Sequence, residues 1–122
     1  MNTIGSEFIL LSSNKNAVVV SLSTHEVVAE LNLKNREMSC SLFFGGKVVL
    51  IGTYVDTLFV FSYPDFKHLF SMRSHESILS MCVVSPVHQF IAIGQANGHI
   101  DILKLQGSKM DLGLIVSSLN VP

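Results

Sequence analysis

The chain has 122 residues, 48% hydrophobic and 14% charged, with a net charge of −1 at pH 7. That balance fits one buried globular unit and argues against a disordered segment. The basic residues are scattered from Lys15 to Lys109, so the sequence offers no clustered basic face for DNA or RNA.

At the start, Met1 to Glu7 has no basic n-region, and Phe8 to Leu11 is too short for an apolar h-region. No apolar run approaches the roughly eighteen residues that cross a bilayer. The expectation is a cytoplasmic chain without membrane insertion. With Ile4 as its apolar residue after Met1, this opening stretch is a poor strand.

From Phe8 onward the chain repeats itself. The apolar block Phe8-Ile9-Leu10-Leu11-Ser12 aligns with Val48-Val49-Leu50-Ile51-Gly52 and Phe90-Ile91-Ala92-Ile93-Gly94, at offsets of 40 and 42 residues. A turn follows each block: Asn14-Lys15-Asn16, Tyr54-Val55-Asp56 and Ala96-Asn97-Gly98. Asn, Asp and Gly suit such corners because they tolerate left-handed backbone angles. Beyond the turns come second apolar runs, Ala17 to Leu22, Leu58 to Phe61 and Ile100 to Leu105.

The first runs are apolar without alternation, which implies cover on both faces. The outer runs alternate instead. Val27, Ala29, Leu31 and Leu33 interleave with Val28, Glu30, Asn32 and Lys34. Phe66, Phe70 and Met72 share a parity opposite to Lys67, Ser71 and Arg73. Several strands in each period of about 40–45 residues predict the stacked blades of a propeller. A parallel α/β sheet would need crossovers of a dozen or more residues, and these connections are short turns.

At these positions the sequence resembles the WD-repeat family. Ser74-His75 is similar to the Gly-His that opens such a repeat, and Ser85-Pro86 to the turn after its inner strand. Ala96-Asn97-Gly98 resembles the family's Asp-Gly turn, and Ile102 to Leu105 stands where it carries Trp-Asp. Val60 to Tyr63 and Val19 to Leu22 hold that place in the earlier repeats, and Val20 to Val28 resembles the run from third to fourth strand. The likeness covers Phe8 to Leu105. The signature is degenerate, with no Trp in the chain.

The resemblance implies an all-β fold of antiparallel four-stranded blades in an incomplete β-propeller. The first blade, 8–34, would lack its inner strand; the second would span 38–73 and the third 77–117, its outer strand being Asp111 to Ser117. In that family a His, a Ser or Thr, an Asp and a Trp form a hydrogen-bonded tetrad. Here His75 matches in type and Asn97 is a partial stand-in, with Ile93 and Leu103 in the other places. His75 and Asn97 are thus the candidate site residues. The resemblance implies a structural role for them, joined directly or through one water, in a blade held mainly by apolar packing; the alternative is that His75 is a solvated loop residue.

No catalytic constellation emerges. The G-x-S-x-G elbow is absent, and Gly45-Gly46-Lys47 is a hairpin turn without a phosphate-loop frame. None of His25, His68, His75, His88 and His99 has a partner at metal-ligand spacing. Cys40 and Cys82 lie 42 residues apart, matching the repeat offset, so they read as equivalent core thiols. The expectation is no enzyme activity, no cofactor and no metal.

Propellers close with four to eight blades, and fewer than three are expected here. The implied function is a protein–protein interaction scaffold whose partners are other proteins or further blades of the same polypeptide. One alternative is a small all-β sandwich or barrel binding a ligand in its interior. Others are a propeller enzyme with its active residues elsewhere, or a C-terminal propeller piece like those of the BEACH family of membrane-trafficking proteins.

Overall fold

The computed structural model describes residues 2–4, 7–13, 16–44, 46–74, 76–85, 87, 90–106 and 113–120. Among them are twelve strands and one 3-10 turn, Ala96–Gly98. The strands form three four-stranded sheets, each a sequential antiparallel meander. The first contains β1 (Asn2–Ile4), β2 (Phe8–Ser13), β3 (Asn16–Ser21) and β4 (Val27–Asn32). The second contains β5 (Met38–Phe44), β6 (Val48–Thr53), β7 (Thr57–Ser62) and β8 (His68–Arg73). The third contains β9 (Ile78–Ser85), β10 (Phe90–Gln95), β11 (His99–Gln106) and β12 (Gly113–Asn120).

Turn chemistry closes the hairpins where left-handed geometry is required. Gly46 (φ +65°) and Gly98 (φ +75°) need no Cβ there, and Asp56 (φ +46°) is among the residue types that tolerate it. The loop from third to fourth strand is built the same way twice. The Ser21 amide donates to the Glu26 carbonyl at 2.9 Å, and the Ser62 amide to the Lys67 carbonyl at 2.8 Å. His25 (φ +61°) and Phe66 (φ +55°) occupy the left-handed corner. A bulky ring is strained there. Phe66 is held by burial and by edge-on contacts with Phe8 and Tyr63, at 5.3 and 5.8 Å between centroids.

The sheets stack face to face, and the middle one is covered on both sides. Every residue of β6 and β7 is buried. Because strand side chains alternate, Val49, Ile51, Phe59 and Phe61 pack with Leu10, Val19 and Leu31 of the first sheet. Val48, Leu50, Leu58 and Val60 pack with Ile78, Ile91, Ile93 and Leu103 of the third. Gly52 belongs to the second interface, where a Cβ would lie 2.7 Å from Ile78 Cγ2. The first strands lie side by side, β5 touching both β1 and β9, so the sheets fan out from that edge as propeller blades do. This arrangement is neither a two-sheet sandwich nor a closed barrel.

Three expectations change. Asn2–Ile4 is a strand paired with β2, so the first blade does have its inner strand. Ile4 suffices because it is buried against the interface with the second sheet. The outer strand of the third blade is Gly113–Asn120, later than Asp111 to Ser117. Finally, Cys40 and Cys82 are not equivalent. Cys40 pairs with Gly52 and Cys82 with Ala92, whereas Ser80 pairs with Gly94. Four residues separate β9 from β10 where three separate β5 from β6, and a bulge in β9 beside Ile91 adds one more, so the inner strands are offset by 40 and Cys40 corresponds to Ser80. Cys82 is exposed, while Cys40 packs against the second interface.

Ile91→Ala or Ile93→Ala should cost about 2–5 kcal/mol in denaturant unfolding, the usual range for truncating a buried aliphatic side chain. Lys67→Ala, at an exposed position, should change stability by less than about 0.5 kcal/mol. Equal effects would mean that the strand faces are misassigned.

Candidate interaction surface

At one end of the stack the β6–β7 and β10–β11 turns are tied to the loops that join successive sheets. The Tyr54 amide donates to the Glu37 carbonyl at 3.1 Å, and the Ser74 amide to the Asp56 carbonyl at 2.8 Å. The Ser77 hydroxyl donates to the Tyr54 carbonyl. The Ala96 amide donates to the Ser77 carbonyl at 3.0 Å. These bonds fix a rim that runs from the loop after β4 across the second and third sheets. Tyr54 and Val55 project from it, 50% and 52% exposed.

Buried polar groups anchor the rim. In the second sheet Thr53 Oγ1 donates to the Thr57 carbonyl at 2.8 Å and accepts the Thr57 amide at 3.2 Å. The register of β10 with β11 places Gln95 and His99 where Thr53 and Thr57 stand. There Gln95 Nε2 donates to Asp101 Oδ2 at 3.0 Å, and His99 Nε2 lies 3.1 Å from Asp101 Oδ1. Gln95 Oε1 accepts the Glu76 amide at 3.0 Å. Asp101 is 1% exposed, and the Gln95 amide and His99 ring stand in for the water its side-chain oxygens lose on burial.

A second feature lies between the first two sheets. Lys34 and Arg36, on the loop from β4 to β5, meet Thr57, Phe59, Ser71, Met72 and Arg73 around a cleft of about 180 Å³. Arg73 pairs with Asp56 at 2.8 Å. The hydrogen bond and charge of Arg73, with a smaller contribution from Arg36, hold the Asp56 carboxyl below its ordinary range. Burial and the Lys34 charge push the His68 imidazole downward. Arg36 Nη1 donates to the Lys34 carbonyl at 3.0 Å, and Arg36 Nε is buried without a hydrogen-bond partner among the described residues. An adjoining hollow of about 280 Å³ shares Lys34 and adds Glu30, Asn32, Phe61, Phe66 and His68.

The 3-10 turn holding Asn97 joins β10 to β11 on the rim, beside the loop from Ser74 to Ser77. His75 and the Asn97 side chain lie outside the described residues, and so does any bond between them. Sequence reasoning missed Gln95, His99 and Asp101, whose spacing carries no family signature. It also missed the cationic cleft, since Lys34 and Arg73 are far apart in the chain. Among the described residues no group of three His, Cys, Asp or Glu could hold a metal ion. No described helix is long and apolar enough to cross a membrane.

Three antiparallel four-stranded sheets, stacked by their faces with first strands adjacent, define a β-propeller type of fold. A solved structure agrees. The β-propeller domain of Cps50 (Swd1) from Myceliophteria thermophila matches with a TM-score of 0.75 over 93% of this chain, at 12% identity. At that identity the likeness concerns the fold alone. This chain spans 36% of the length of that one. No family model matches the sequence, and no curated protein does.

Gln95→Leu removes the donor to Asp101 Oδ2 and the acceptor of the Glu76 amide in one step. The expected loss is about 1–3 kcal/mol, the usual consequence of stranding a buried polar group. Urea unfolding measures it, and a change under about 0.5 kcal/mol would show that the network does not anchor the rim.

Proposed function

We propose that this chain is a run of three consecutive blades of a WD-repeat-like β-propeller and works as a non-catalytic protein–protein interaction scaffold in the cytoplasm. Its partners are other proteins or further blades of the same polypeptide. The observation that carries this reading is the apolar character of the two faces that no sheet among the described residues covers. On the first sheet that face holds Ile9, Leu11, Val18, Val20 and Val27, with Leu11 and Val27 exposed. On the third it holds Cys82, Phe90, Ala92, Ile100 and Ile102. An antiparallel sheet with one face in water ordinarily turns polar residues outward. These faces instead repeat the pattern that the middle sheet buries, which supports further stacking. The rim, with Tyr54 and Val55 exposed, supports a role in holding another protein.

Cysteine labelling tests the stacking. Cys40 is covered by the third sheet, and burial pushes its thiol upward from the ordinary range. Cys82 shares the uncovered face of the third sheet with Ala92. Alkylation followed by mass spectrometry should modify Cys82 well before Cys40 in dilute chain, since access and thiolate content govern the rate. Raising the concentration should protect Cys82 as copies stack, with larger species in light scattering. A monodisperse monomer at every concentration, with unchanged Cys82 labelling, would sink the stacked-blade reading.

A further inference from the structure

The cleft between the first two sheets has a chemistry that the stacking role does not use. Of the eight Lys and Arg residues in the chain, Lys34, Arg36 and Arg73 line it together with the hydroxyl-bearing Thr57 and Ser71. One carboxylate, Asp56, answers them at Arg73, leaving an excess of two positive charges. That excess matches the charge of about −1.5 to −2 on a phosphate monoester. A single carboxylate would leave one cation unanswered.

The surroundings indicate how such a group would arrive. The adjoining hollow continues the cleft along β4 toward Phe61 and Phe66. β4 is the last strand of its sheet and β8 of the next, so each has one edge unpaired within its sheet, available to an extended chain. Glu30 in that hollow disfavours a second acid there and leaves the aromatic rings for an apolar side chain.

We propose that this cleft is a binding site for a phosphorylated side chain carried on an extended peptide. Arg36 and Arg73 take the phosphate oxygens, and Arg36 Nε, buried without an acceptor among the described residues, gains one. Lys34 adds charge from the exposed loop, and Thr57 and Ser71 supply hydroxyl donors. Asp56 competes with the phosphate for Arg73. The cleft is bounded by the first two sheets alone, so it does not depend on further blades.

The probe is a fluorescein-labelled nine-residue peptide with one central phosphoserine between valines, compared with its Ser and Glu twins by fluorescence anisotropy on the full chain. The phosphopeptide should bind at least about tenfold more tightly than either twin, as charge-assisted bidentate contacts to phosphate allow. Added salt should weaken it. Arg73→Gln, at a side chain 84% exposed, and Lys34→Asn, which keeps a residue suited to φ +52°, should each weaken binding by about tenfold without altering the circular dichroism spectrum. Asp56→Asn should tighten it by releasing Arg73, a gain that a merely structural role would not produce. Equal binding of the three peptides, or variants that bind like the parent chain, would overturn the proposal. So would inorganic phosphate competing as tightly as the phosphopeptide, because the peptide would then contribute nothing. None of these outcomes bears on Cys82 protection, so this proposal and the stacking role fail separately.

Discussion

The two-sided burial of β6 and β7 is the constraint on which the rest of the structure depends. A strand sends alternate side chains to opposite faces. When both sets are apolar, as in Val48 to Ile51 and Leu58 to Phe61, the sheet needs a cover on each side. Losing the first sheet would bare Val49, Ile51, Phe59 and Phe61. At about 1.5–3 kcal/mol for each such side chain, that loss is comparable to the whole stability of an ordinary domain. The second and third sheets stand in the same relation through Leu50, Leu58, Ile91 and Leu103. The three sheets therefore hold one another in place, and none is expected to fold as a separate unit.

The polar features are consequences of that stacking. Once the sheets are fixed, the loops at one end fall within hydrogen-bonding distance, and carbonyls at Tyr54, Asp56 and Ser77 collect donors from neighbouring loops. Buried side chains then secure the turns with different chemistry at equivalent places. A hydroxyl does so at Thr53, and an amide with a carboxylate at Gln95 and Asp101. The cationic cleft arises likewise. Leu33 is buried in the first interface, so Lys34 and Arg36 beside it are carried to the side of β8 where Arg73 projects. Apolar packing places the charges, and the charges decide what the surface can hold.

The repeat was legible because each blade solves the same packing problem. Continuous apolar runs in β2, β6 and β10, followed by Asn, Asp or Gly turns, are what two-sided burial and tight corners demand. Alternation in β4 and β8 reports strands wet on one side. Gaps between sequence and structure fall where a local rule was overridden. Ile4 alone made a poor strand by its sequence, yet packing at the interface with the second sheet buries it. The 42-residue spacing of Cys40 and Cys82 hid one extra residue in the connection from β9 to β10 and another in the β9 bulge, because a bulge adds a residue to one strand without any mark in composition.

By itself, then, the sequence determined the strand-forming runs, their turns and their period, because hydrophobic alternation and left-handed corners are local properties of the chain. The tertiary structure alone decided which distant residues meet. That Lys34 and Arg36 face Arg73, and that Gln95 receives the Glu76 amide from another loop, depends on sheet stacking and strand register. Those are set by shape and burial across the whole unit rather than by the spacing of any two residues.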